Sequence, residues 1–407
     1  MSKSLVKTVA LVFLGVLLAT LPGLAGCAEE EEAEVREIVI GYEGDWTGPA
    51  ASGAVEYGGA FLDYFRMIED ENPIPGVKLK VITYDTRSDY SRIPIGYVWL
   101  KGQGMDVFFA PSPADLEINA PRLADDEIPG FGTTSLDSVR DHEWCFWVFD
   151  TFEAQTEAVL KWILDTWEGE GKPKIGLAGW AALSTTWGPE RGLDLYLAAH
   201  PDDFEYVGAQ KAPMGSVVWA VEVSRLMDCD YIFQGCVGAG IPSFIKEARL
   251  RGYEGKIVAC NPLAGFWNVT TQAAPADLLY EVYHLHSMPW SIDCPFTDQC
   301  WEVGLKYRSQ DWLESAMRQS SYTGGIIFGT FVVEVIRSAV AEVGAENVDA
   351  NAIRDAAESL ELDLTADGWG NAWELSPDNH VCTLTYKMFE WDVEQEKWVA
   401  VTDWFSP

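Results

Sequence analysis

The chain has 407 residues, 48% hydrophobic and 22% charged, a globular balance that excludes a disordered or fibrous polymer. Its length exceeds the ~250–300 residues at which a single core stops growing, so two lobes are expected. A formal net charge of −35 repels nucleic acid and anionic lipid headgroups over most of the surface and excludes both as partners.

Residues 1–27 read as an address. Lys3 and Lys7 precede an uncharged run over 8–19, and Leu24-Ala25-Gly26-Cys27 closes the stretch. Basic, apolar, then small is the order of a bacterial export signal, and the run is shorter than the ~20 residues of a membrane span. The closing motif resembles the lipobox of bacterial lipoproteins, which implies Cys27 as a lipid attachment point and a protein held on the membrane outside the cytoplasm. An ordinary signal peptide with a coincidental cysteine, or an uncleaved anchor, is the alternative. Residues 29–32 are all glutamate, and 28–37 reads as a solvated acidic tether.

A strand is expected over 37–41, then a loop over 43–53 rich in Gly, Pro and Ser, then a helix over 55–69 with apolar residues at helical spacing. Strands over 78–84 and 106–110 and a helix over 116–123 follow, before the turn at Ile128-Pro129 that leads into Gly132-Thr133-Thr134-Ser135. A second set begins with a helix over 153–167, a strand over 174–178 and a loop over 180–187. Helices over 190–199, 217–227 and 241–251 then alternate with strands over 231–233 and 256–259. An extended run over 279–288 reads as a crossing back, helices over 298–318 and 322–343 follow, and β-rich segments at 372–375 and 381–391 close the chain. Strands alternating with helices are the pattern of an α/β fold with parallel sheets. The most apolar late segment, 324–343, carries Glu334 and Arg337 at helical spacing and reads as an amphipathic helix, not a membrane span.

Seven cysteines follow Cys27, an odd number that leaves at least one unpaired in a monomer. Cys294 and Cys300 flank a short polar loop, where a disulfide is permissible outside the cytoplasm although spacing alone does not fix it. The remaining five sit in or beside apolar runs, as small buried residues do. There is no CxxC pair, and His284 and His286, which share one face of a strand, lack a third metal ligand at a usual spacing; they read as exposed imidazoles of a crossing segment. Gly235-Cys236-Val237-Gly238-Ala239-Gly240 follows a strand but misses the GxGxxG register and a closing acidic residue. It reads as a small-residue cleft wall and not as a dinucleotide loop. No nucleophile elbow, HExxH helix or Walker A sequence occurs, so no enzymatic activity, metal or cofactor is expected.

The order of motifs resembles the type I periplasmic binding proteins of ABC transporters, in particular their branched-chain amino acid-binding branch. The residues carrying the resemblance are the opening strand and loop over 38–51 with Thr47-Gly48-Pro49, then Tyr84-Asp85-Thr86, Thr186-Trp187-Gly188, the helix from Phe244 through Ala248-Arg249 to Gly252, and Asp378-Asn379-His380. The resemblance implies two lobes, each a parallel-sheet three-layer α/β sandwich, joined by three hinge crossings near Thr151, His286 and Thr365. The first lobe would be 38–151 plus 286–365, and the second 152–285 plus 366–407. It also implies a small-molecule ligand in the cleft and an ABC permease as partner, or, alternatively, a ligand-sensing receptor of the same fold.

Small residues at strand ends offer hydroxyl and backbone N–H groups to a ligand carboxylate. Ser112 and the run Thr133, Thr134, Ser135 match family positions with that role, although residue type alone favours ordinary turn residues. Val237 and Gly238 form the facing wall, and Trp46 and Trp187 are the aromatic candidates, Trp187 standing where the family has Tyr. Asn261 falls where amino-acid-binding members carry an acidic residue that pairs with the ligand ammonium. A neutral Asn there loses that charge-assisted partner, so a neutral amide, an aromatic or aliphatic acid or another small polar metabolite is as much expected as an amino acid, and if Asn261 lines the cleft, ligands lacking the α-amino group are favoured over leucine or valine.

Overall fold

The computed structural model describes residues 35–407 except 138, 139, 141, 261, 262 and 383. The leader, Cys27, most of the tether and Asn261 therefore lie outside the described residues.

Strand β1 (Arg36–Gly44) is buried continuously from Ile38 to its end, as a strand must be when helices cover both faces of its sheet. It pairs in parallel with β2 (Val77–Asp85) and β3 (Val107–Ala110), and β4 (Gly130–Gly132) and β5 (Cys145–Trp147) extend the sheet in the order β2-β1-β3-β4-β5. Period-two alternation assigns the faces. Val107 and Phe109 pack with Phe61 and Tyr64 of α1 (Ala51–Glu71), while Phe108 packs with Tyr97 of α2 (Ile93–Gly102) and Leu116 of α3 (Pro113–Asp126).

Through Thr151, whose hydroxyl accepts from the Ala154 N–H as an N-cap, the chain enters α4 (Phe152–Thr166) and a second sheet. That sheet contains β6 (Lys174–Trp180), β7 (Glu205–Ala212), β8 (Tyr231–Gln234), β9 (Lys256–Ala259) and β10 (Val282–His286) in mutual parallel pairing. Its helices are α5 (Ser184–Ala199), α6 (Ala220–Leu226), α7 (Gly240–Leu250) and the short α8 (Trp267–Ala273). Here too Tyr231 and Phe233 face α4 and α5, whereas Ile232 faces α6 and α7.

After β10 the helices α9 (Pro295–Tyr307), α10 (Gln310–Ala316), α11 (Ser320–Val343) and α12 (Ala350–Glu358) return to the first sheet. Helix α11 covers it by lying unusually close to α1: a Cβ on Gly325 would stand 2.2 Å from the Tyr57 carbonyl oxygen, and one on Gly329 2.7 Å from the Tyr64 ring. The predicted helix over 298–318 is divided at Arg308, which leaves the helical path to make a two-pronged ion pair with Asp63 of α1 (2.6 and 3.1 Å). A small hairpin, β11 (Glu361–Leu362) with β12 (Trp373–Glu374), precedes the antiparallel strands β13 (Lys387–Asp392) and β14 (Lys397–Ala400), which complete the second sheet beside β10. Among the described residues no helix is long and apolar enough to cross a membrane.

Four expectations are corrected. Val381 bridges Trp147 of the first sheet, and the chain rejoins the second sheet only at Lys387, so the last crossing falls between those residues and not near Thr365. The run over 279–288 is not a bare crossing but ends in β10, a strand flanked on both sides. His284 and His286 on it are buried, not exposed. Cys294 and Cys300 are free thiols, because the supposed loop between them is the start of α9. Six residues of helix separate them by ~9 Å of rise, beyond the ~7 Å that a disulfide spans.

Burial holds His284 neutral, its pKa lowered to about 3, and among the described residues neither ring nitrogen has a hydrogen-bond partner. The unfolded chain takes up a proton near pH 6.5 that the native state refuses, so stability falls as pH drops from about 6.5 towards 3, by at most ~1.4 kcal/mol per pH unit for this group. A His284→Phe variant is expected to show a shallower loss of thermal midpoint over that range; an unchanged slope would assign the acid sensitivity elsewhere.

Candidate functional site

In both sheets the carboxyl ends of the parallel strands point to the space between the lobes, where loops lie free of ladder hydrogen bonding and ligands bind in open α/β sheets. A cavity of about 110 Å³ occupies that space, several times the ~10–15 Å³ needed for one water.

The first lobe supplies the polar wall. After β1, Asp45 organises its loop by accepting from the Gly48 N–H (2.5 Å), the Ala50 N–H (2.9 Å) and the Ser88 hydroxyl (2.5 Å). After β3, Ser112 takes the extended N-cap conformation of α3, and Asp115 is that helix's third residue, only 2% exposed, with Oδ2 lacking a partner among the described residues. Ser-x-x-Asp resembles a capping box, in which an acidic third residue turns back to the cap. Burial pushes the Asp115 carboxyl up to about 7, the Ser112 hydroxyl opposing that rise and the neighbouring Asp45 adding to it. Behind it Glu43 is fully buried, its carboxyl raised to about 10 by burial and by Asp115 despite a 2.8 Å hydrogen bond from Asn119. Among the described residues none of these three carboxylates forms an ion pair.

At the end of β4 the hydroxyl protons turn inward. Thr133 donates to the Pro111 carbonyl (2.9 Å), Thr134 donates to the Asp150 carbonyl and accepts from Gln155 (3.0 Å), and Ser135 donates to Glu117 (2.8 Å). The second lobe closes the cavity with Leu183, Ser184 and Thr185 at the start of α5 and with Val237, the Thr185 proton resting on the Gly235 carbonyl (2.7 Å). Rings form the remaining wall, with Tyr57 stacked on Phe328 at 5.7 Å and Phe149 edge-on to Phe328 at 5.3 Å.

Of the sequence candidates, Ser112, Thr133, Thr134 and Val237 line this cavity together. Ser135 is buried behind the wall against Glu117. Trp46 packs on Tyr42 at 5.5 Å and over Gly58, and Trp187 sits edge-on to Phe152 at 6.2 Å; neither lines the cavity. Gly238, in the left-handed region at φ 52°, supports the closed cleft: a Cβ there would stand 2.4 Å from the Pro49 carbonyl of the facing lobe. Sequence reasoning missed Asp45, Tyr57, Tyr90, Asp115, Phe149, Phe266 and Phe328, all of which line the cavity. The capping-box spacing from Ser112 was the one available signal for Asp115. Among the described residues no group of three or more His, Cys, Asp or Glu side chains is arranged to hold a metal.

The sequence profile described as periplasmic binding protein matches residues 37–397. The chain belongs to that family. Its fold is that of type I periplasmic binding proteins, as three solved structures illustrate. A branched-chain amino acid ABC transporter protein from Thermus thermophilus with bound valine is 16% identical, with a TM-score of 0.78 over 91% of this chain and 97% of that one. A fatty acid ABC transporter substrate-binding protein from Thermomonospora curvata is 16% identical, with a TM-score of 0.74 over 91% and 93%. The isoleucine-bound LivJ protein from Streptococcus pneumoniae is 13% identical, with a TM-score of 0.72 over 91% and 100%. No curated protein sequence matches.

In this family frame the contacts between facing loops mark a closed cleft, and Gly53 offers a test of what closure requires. A Cβ on Gly53 would meet the Gly265 carbonyl at 2.3 Å across the cleft, although within α1 alanine is the better helix former by ~1 kcal/mol. Gly53→Ala is therefore expected to fold normally and to show a larger radius of gyration by small-angle scattering than the parent; an equally compact variant would show that this contact does not limit closure.

Proposed function

We propose that this periplasmic binding protein is a lipid-anchored solute-binding component that captures a small polar or amino-acid-like molecule between its lobes and delivers it to the permease of an ABC importer, performing no chemistry itself. The observation that carries the reading is the enclosed cavity, in which backbone turns and hydroxyls of the first lobe converge with Ser184, Thr185 and Val237 of the second. A ligand contacting both lobes favours the closed state by its differential affinity, and closure in turn presents one defined surface to a permease. Names of similar structures mention valine, isoleucine and fatty acid, so the fold accommodates varied ligands and the choice among them belongs to the cavity side chains.

Native mass spectrometry of freshly purified protein is expected to show a bound small molecule that leaves on denaturation and does not return on refolding in clean buffer. A protein that carries nothing and responds to no metabolite in a thermal-shift screen would remove the reading. The anchor is tested separately. Cys27→Ser is expected to shift the chain from the membrane to the soluble extracytoplasmic fraction, and a variant that stays membrane-bound would exclude Cys27 as the attachment point.

A further inference from the structure

The cavity is chemically one-sided. Among the described residues no Lys, Arg, His, Trp, Asn or Gln side chain lines it, so its side-chain donors there are hydroxyls alone. The Tyr90 hydroxyl is buried with no partner among the described residues, and of the nine lining hydroxyls four are committed to protein acceptors, Thr133 to Pro111, Thr134 to Asp150, Thr185 to Gly235 and Ser88 to Asp45. Those four side chains retain lone pairs for a ligand but have no proton left to give. The fixed acceptors are carboxylates: Asp45, and Asp115 with its unpartnered Oδ2. The carboxylates would repel an anionic ligand, whereas a cation would find acceptors with no competing protein cation among the described lining residues.

The complement of that wall is a donor-rich positive group. We propose that the cavity takes a small organic cation, its ammonium nitrogen held by Asp115 and its apolar part lying against the ring wall of Tyr57, Phe149 and Phe328. Ring faces attract such cations further, most strongly where water is excluded. The absence of a metal-ligating group among the described residues and the apolar character of the opposite wall favour an organic cation over a metal ion. The inference rests on the cleft being a ligand site and specifies its ligand class. It reverses the expectation drawn from Asn261, placing the ammonium anchor on the first lobe.

The groups facing Asp115 are Tyr42, Glu43 and Asp45 from β1 and its loop and Tyr90 from the loop after β2, all neutral or acidic. A bound cation therefore displaces the Asp115 proton, and with that carboxyl near 7 its affinity is expected to rise about tenfold between pH 6 and pH 8. In the empty protein the sign is opposite. A carboxyl raised from 3.8 when unfolded to about 7 when folded costs stability as pH climbs between those values, so Asp115→Asn should raise the ligand-free melting temperature at pH 8 and change it little at pH 4.

The decisive comparison uses isobutylamine, valine and isovalerate, which share a branched carbon chain and differ in carrying an amine, both groups or a carboxylate. Calorimetry on the mature protein is expected to rank isobutylamine first, with Asp115→Asn weakening it at least tenfold while the variant melts no lower than the parent at pH 8. Tighter binding of valine or isovalerate, undiminished amine binding by the variant, or release of a neutral or anionic molecule from the freshly purified protein would overturn the cation assignment while leaving a binding protein. Failure of every probe, with nothing released from purified protein, would instead remove the ligand site itself and this inference with it.

Discussion

A parallel strand buried on both faces needs a helical layer on each side, and that covering requirement organises the rest of this molecule. In the first lobe α2 and α3 cover one face, but the other needs α11, which comes from beyond the second sheet. The chain is therefore obliged to cross back, and the lobes are joined by more than one strand of backbone. Glycines at 325 and 329 let α11 approach α1 within a distance that any side chain would prevent. The same parallel geometry directs both sets of loops to one cleft, so packing and function share a cause.

Empty, the cleft is electrostatically uncomfortable. Asp115 and Glu43 are buried without a cation among the described residues, and their carboxyls respond by holding protons at pH values where an exposed acid would have lost them. Such a cost is unusual in a region whose only task is packing, since an apolar residue or an amide would remove it. Closure sharpens the matter, because excluding water strengthens each remaining electrostatic interaction. A group that neutralises the wall thus gains most from the closed form, which links ligand charge to lobe movement.

The fold was legible because its signals are repetitive. The strands near 37–41, 78–84 and 256–259 and the helices near 55–69 and 322–343 carry strong periodicity, and the structure places elements at each of them. Strands β4 and β5, of three residues each, are too short to show a period, and half-exposed β7 carries Gly208 and polar residues where a strand pattern would need apolar ones. The site was legible only in part. Ser112, Thr133 and Thr134 stand at strand ends, which sequence order locates, whereas Phe328 and Phe149 reach the cavity from distant elements that only the return of α11 brings near. Tryptophans misled for a physical reason: Trp46 and Trp187 sit in the right loops, but their area is taken by neighbouring rings and Gly58.

The acidic surface and the acidic cavity act in the same direction. A net charge of −35 concentrates cations around the molecule and raises their rate of encounter, an effect that fades over a Debye length of ~8 Å at physiological salt. Long-range attraction alone gives no selectivity, because every small cation feels it. Selectivity has to arise inside, where a carboxylate deprived of water meets a ring-lined wall that a strongly hydrated metal ion cannot use and an alkylammonium can. Under the proposed cation reading, the surface gathers, the cavity chooses and closure retains.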